Sequence, residues 1–167
     1  MRMFWLELEM FYPILLILLF SLIVDWLSMT PVLLTKRKIR RDRRVERLEF
    51  SEKIIIAPIF EEIIFRGPIY WFFNELSTMC WALIIISAMI FGIWHFKFRK
   101  EFPLSRISFG ISTCLIGILL GWLTIITGSL APAIIVHAAI NLHWEIMLPA
   151  IIKRKAGFFI LLILSPL

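Results

Sequence analysis

The sequence predicts an all-α membrane protein: a polytopic transmembrane bundle of about six spans, forming a single domain over residues 1–167. Three observations carry that prediction. Of the 167 residues, 60% are hydrophobic, with 15 Phe and 7 Trp, more apolar surface than a soluble domain of this length can bury. The apolar residues fall in long runs, close to the ~20 residues that cross a hydrocarbon core. Lys and Arg gather in every second connection between those runs.

In chain order the runs are Met10–Leu34, Ile54–Phe73, Leu76–Phe96, Ile107–Ile126, Leu130–Ile152 and a short sixth, Ala156–Leu167. They are continuous rather than alternating, which excludes a β-barrel. A helix is then the structure that satisfies every backbone polar group in lipid. Eight Lys or Arg lie between Lys36 and Arg47, four at Lys97, Arg99, Lys100 and Arg106, and three at Lys153–Lys155. The connections around Asn74-Glu75 and Thr127-Gly128-Ser129 carry none. Cytoplasmic loops collect positive charge, so the basic connections are expected inside and the N-terminus outside. Glu7 and Glu9 stand where a cleavable signal would carry positive charge, so none is expected. The small size points to a prokaryotic plasma membrane.

The net charge of +6 invites a nucleic-acid reading, but its placement favours contact with anionic lipid headgroups. The basic connection 35–53 suits an amphipathic helix on the inner surface. Cys80 and Cys114 have no metal or redox spacing and read as packing residues. Gly117 and Gly121 form a Gly-x-x-x-Gly pair that allows close helix approach, read here as internal packing. Ser129 and Pro132 mark a helix start. Pro58 and Pro68 bracket an acidic motif in the second run, where each removes a helical hydrogen bond.

Within these runs stand three polar signatures: Glu61-Glu62-Ile63-Ile64-Phe65-Arg66, Phe91-Gly92-Ile93-Trp94-His95 and His137-Ala138-Ala139-Ile140-Asn141. Ionisable groups at membrane depth are costly, rare and usually functional. At ~1.5 Å per residue, Glu61 lies about 12 Å along its helix from Lys53, His95 about 3 Å from Lys97, and Asn141 about 18 Å from Lys153. Glu61, His95 and Asn141 are therefore expected to meet at moderate depth below the cytoplasmic surface. Glu62 and Arg66 are four apart and can pair on one helix face. Phe91 shares a face with His95, as His137 does with Asn141. Glu61 points about 100° from Glu62, so the two acids are expected to differ in task.

Amide hydrolysis needs a base for water, donors for the oxyanion and an acid for the leaving amine. Glu61 with His95 can supply base and proton shuttle, and His137 with Asn141 the donors. Taken together and in order, the signatures resemble the CAAX prenyl protease and bacteriocin-processing family, also called Abi or CPBP proteins. That family carries Glu-Glu-x-x-x-Arg, Phe-x-x-x-His and His-x-x-x-Asn on successive transmembrane helices. The likeness extends over roughly Ile54–Pro149, including Phe109-Gly110 and the stretch from Thr127 to Asn141. It implies an intramembrane glutamic endopeptidase that needs no cofactor, acting on a peptide or protein substrate, prenylated or a leader peptide. It places Glu61, His95, His137 and Asn141 as catalytic, with Glu62, Arg66 and Phe91 supporting.

Alternatives remain open at this level. Glu61, His95 and His137 with a water would satisfy a catalytic zinc, although no His-Glu-x-x-His is present. A non-enzymatic bacteriocin-immunity or peptide-binding protein could share the fold. A proton or ion pathway would need polar residues continuing to the outer face, where few occur. His143 lies off the His137 face and reads as structural, Glu145 is a minor candidate, and Asp25 is not expected to be catalytic.

Overall fold

The computed structural model describes residues 12–24, 49–96 and 103–153, and among them every regular element is helical. The first is α1, Tyr12–Val24. A π-helical stretch, Glu52–Ile56, runs straight into α2, Ala57–Phe65. Then follow α3, Gly67–Phe72; α4, Thr78–Phe96; α5, Pro103–Thr127; and α6, Ala131–Lys153. The last three coincide closely with the third, fourth and fifth apolar runs. Among the described residues, two segments are long and apolar enough to cross a membrane by length and composition, Thr78–Phe96 and Arg106–Thr127. The remainder of the first run with Asp25, most of the basic connection, and Ala156–Leu167 lie outside the described residues.

The second run is not the continuous span that its hydropathy predicts. It breaks at Arg66, whose φ of −111° and ψ of −22° depart from helical values and cap α2. Pro68, at the start of α3, has no N–H for the carbonyl of Ile64, four residues back. The neighbouring Phe65 carbonyl accepts from the Ser87 hydroxyl of α4 at 2.6 Å. Two short helices thus replace one long one, and the acidic motif occupies the end of the first.

The core forms around α5. On one side Ile116, Leu120 and Leu123 pack with Ile17 of α1 and with Ala133, Val136 and Ile140 of α6. On the other, Ile125 packs with Ile69 of α3 and with Cys80 and Ile84 of α4. Along α4 the buried positions are Cys80, Ile84, Ala88, Phe91 and Gly92, a stripe spaced by three and four. Met79, Ile86, Met89, Ile90 and Ile93 of the same helix are exposed. An apolar outer face of this kind is suited to lipid.

Small residues set the α4–α5 distance. A Cβ on Gly121 would meet Ile84 at 3.0 Å, and one on Gly117 would meet Ala88 at 3.1 Å, so the Gly-x-x-x-Gly pair serves internal packing. The tightest point is Gly92, where a Cβ would lie 2.7 Å from the Gly110 carbonyl oxygen. Backbone cannot rotate away, so Gly92→Ala must push the helices apart. Overpacking of this kind costs about 1–3 kcal/mol; a matching fall in the thermal unfolding midpoint in detergent is expected, and an unchanged midpoint would contradict the close crossing. At the opposite end Gly128 turns the chain with φ +59°, and Ser129 Oγ accepts the Ala131 N–H at 3.2 Å. Pro132 follows in the first turn of α6, as its sequence context predicts.

Candidate active site

The site grows from the break at Arg66. With the helix interrupted there, the guanidinium turns inward, and its side chain is only 1% exposed. It donates from Nη1 to Glu62 Oε1 at 3.2 Å and from Nη2 to the Gly117 carbonyl at 3.1 Å. Gly117 is needed for this reach as well, because a Cβ there would stand 2.9 Å from Nη2. The guanidinium carbon lies 4.4 Å from the centroid of the Phe91 ring, a cation–π distance that favours the buried charge. Glu62 is fully buried, so Arg66 supplies the compensation without which an interior carboxylate would be prohibitive.

Glu62 also fixes His137. Its Oε1 lies 2.8 Å from His137 Nδ1. A carboxylate that already accepts from arginine accepts again here, so Nδ1 carries the proton. His95 is fixed in the same sense, with Nδ1 3.0 Å from the Phe91 carbonyl. A carbonyl only accepts, so Nδ1 donates and Nε2 faces away. Both imidazoles therefore turn Nε2 towards Glu61, whose Oε2 lies 3.5 Å from that of His95 and 3.6 Å from that of His137. Glu61 Oε2 is itself buried and lacks a direct hydrogen-bond partner.

Phe91 separates two environments. Its ring packs tilted against His95 with centroids 4.3 Å apart, and meets His137 edge-on at 5.7 Å and Phe65 at 5.0 Å. Behind it, Glu62 and Arg66 are sealed. In front, the Glu61 and His95 side chains keep 23% and 18% of their surface accessible. Phe109 continues the aromatic wall, 6.3 Å from His95 and 6.0 Å from Trp144. Trp94, a candidate wall residue by sequence, is half-exposed.

Asn141 also engages the chain that leads into α2. It lies one turn beyond His137, and its Nδ2 donates to the Lys53 carbonyl at 2.9 Å. The reason lies in the chain before α2. In the π register the Ala57 N–H bonds to Glu52 O, five residues back. The next N–H in that register would take Lys53 O, but residue 58 is proline and has none. Asn141 supplies the missing donor. A turn further along α6, Glu145 Oε2 lies 3.6 Å from Lys53 Nζ.

Of the sequence-predicted residues, then, Glu61, His95 and His137 converge, while Glu62, Arg66 and Phe91 form the support behind them. His137 stands with Glu61 and His95, and Asn141, one turn further along α6, bonds to the Lys53 carbonyl. Lys53 and Ser87 were missed as contributors, while Pro58 and Gly117 were legible as a lost helical hydrogen bond and a close helix contact but not for the partners they leave to Asn141 and Arg66. Among the described residues, no group of three or more His, Cys, Asp or Glu is arranged to hold a metal ion.

Among the described residues, then, an all-helical bundle with apolar segments of membrane-spanning length brings acidic and histidine side chains together at one place. The family model for Rce1-like type II CAAX prenyl endopeptidases matches residues 49–143, more than half of the chain and all three signatures. The chain belongs to that family, and so to the membrane-embedded proteases that act on peptide or protein substrates. Searches of curated proteins and of solved structures returned no match.

Proposed function

We propose that the protein is a glutamic-type intramembrane endopeptidase. The observation that carries this reading is the approach of Glu61 Oε2 to Nε2 of both His95 and His137, at 3.5 and 3.6 Å. Glu61, as general base, takes a proton from a water, whose oxygen attacks the scissile carbonyl carbon. His95, with Nδ1 occupied, receives and passes that proton through Nε2. As the tetrahedral adduct collapses, the C–N bond breaks and the proton goes to the leaving amine. His137 in its Nε2-protonated form meets the developing oxyanion, its charge supported by Glu62 at Nδ1. Asn141 keeps a second Nδ2 hydrogen beyond the one given to Lys53, and that hydrogen is the second oxyanion donor. No cofactor enters this scheme.

The substrate is a peptide or protein reached from the membrane, either a prenylated C-terminus or a leader peptide. The whole chain acts as one membrane domain of about six spans, with basic connections on the cytoplasmic side and the N-terminus outside, in a prokaryotic plasma membrane.

The test is cleavage of prenylated, unprenylated and leader-type peptides by purified protein in lipid vesicles, with and without a metal chelator. Cleavage that survives chelation is expected. Loss on chelation with recovery on adding zinc would replace this reading with a zinc protease built on Glu61, His95 and His137. No cleavage by folded protein would favour the immunity or peptide-binding alternative.

A further inference from the structure

The three resemblance-bearing motifs leave unexplained what fixes the rotation and height of α2, a helix of nine residues. One end is anchored by Arg66 to the α5 backbone. At the other end stands Lys53, which is engaged twice by α6. Its carbonyl accepts from Asn141, and its ammonium pairs with Glu145 at 3.6 Å. The two side chains of this pair are 15% and 17% exposed, so both are largely withdrawn from water, where screening would weaken them.

Asn141 and Glu145 are four residues apart, as are His137 and Asn141. The three therefore form one stripe along α6. The same stripe that carries His137 to Glu61 and Glu62 also grips the segment from which those glutamates hang. Glu61 is eight residues beyond Lys53, a little over two helical turns. A shift at Lys53 is passed rigidly to Glu61, because a helix transmits displacement along its axis.

We propose that Lys53 and Glu145 are positioning residues, which together with the Asn141–Lys53 carbonyl bond form a two-point latch setting Glu61 against the two histidines. This rests on the peptidase reading for its consequence in catalysis, but not for its structural content. Neither Lys53 nor Glu145 touches the reacting atoms; both act through α2. The latch assigns Asn141 a positioning role besides its oxyanion role, through the donor that Pro58 cannot provide.

A charge reversal tests it with two independent readouts. Lys53→Glu and Glu145→Lys are made singly and together in the full chain, reconstituted in lipid. Backbone hydrogen exchange over residues 52–66 is followed by mass spectrometry, alongside peptide cleavage. Each single variant is expected to speed exchange there and lower kcat about 10- to 100-fold, the range that misplacement of a catalytic group produces. KM should stay near its wild-type value. The double variant should recover both properties, since the pair is restored with its ends exchanged. Single variants that leave exchange unchanged would overturn the latch, as would a double variant no better than the singles in exchange. Exchange that follows the predicted cycle in a protein that cleaves no peptide would uphold the latch and reject the peptidase reading alone. Exchange that follows it while kcat stays at the wild-type value in every variant would overturn the positioning role.

Discussion

Glu61→Gln is expected to lower kcat by about 10²–10⁴-fold, the contribution typical of a positioned acid–base group, with KM little changed. Glutamine keeps the size and hydrogen-bonding shape of the side chain but cannot take a proton from water. Glu61 is the one carboxylate of the acidic pair with accessible surface, and it faces Nε2 of both His95 and His137. Its approaches to the two imidazoles are 3.5 and 3.6 Å, and glutamine is of the same size, so the substitution removes little packing. The thermal unfolding midpoint should therefore stay near that of the wild type. Cleavage rates with saturating peptide, measured beside a melting curve, separate the two effects. A Glu61→Gln enzyme with unimpaired kcat would remove Glu61 from the role of base.

Arg66→Ala should act in the opposite manner, on stability first. The guanidinium is anchored by Glu62, by the Gly117 carbonyl and by the Phe91 ring. Its loss leaves the Glu62 carboxylate fully buried with only His137 as a polar partner. Breaking a buried ion pair from one side costs about 3–5 kcal/mol, against a total stability of roughly 5–15 kcal/mol for a folded protein. The pair Arg66→Met with Glu62→Gln should be milder than Arg66→Ala, because no uncompensated charge remains inside. Melting in detergent is the measurement. An Arg66→Ala protein as stable as the double variant would show that the pair does not carry this burden.

Much of this architecture was legible from periodicity and charge. The runs that became α4, α5 and α6 were long, uninterrupted and bounded by turn residues, so their ends fell within a few positions of the structure. The Glu62–Arg66 pair followed from spacing alone, since a helix brings residues four apart together. The second run misled because hydropathy averages over a window and does not register a break. Arg66 is charged yet buried, and Pro68 removes one hydrogen bond; neither alters the mean apolarity enough to split a span. The partner of Asn141 was illegible for another reason. Its acceptor is a backbone carbonyl freed by a local register change, and backbone carbonyls have no letter in a sequence. Depth arithmetic compares levels along a helix and carries no information about which backbone group a side chain such as Asn141 reaches.

The neighbours Glu61 and Glu62 stand on opposite sides of a partition one residue thick. Phe91, Phe65 and the backbone of α2 insulate the compartment of Glu62, Arg66 and His137 Nδ1, in which every charge already has its counterpart. Such a compartment behaves as a fixed electrical reference. In the proposed reaction protons enter and leave on the Glu61 and His95 side, so the two faces of one imidazole, that of His137, answer to different reservoirs. Its Nδ1 is held by a constant field while its Nε2 senses whatever occupies the open side. In the proposed reaction, two adjacent acidic letters thus separate a part of the molecule that keeps its charge from a part whose charge changes with each cycle.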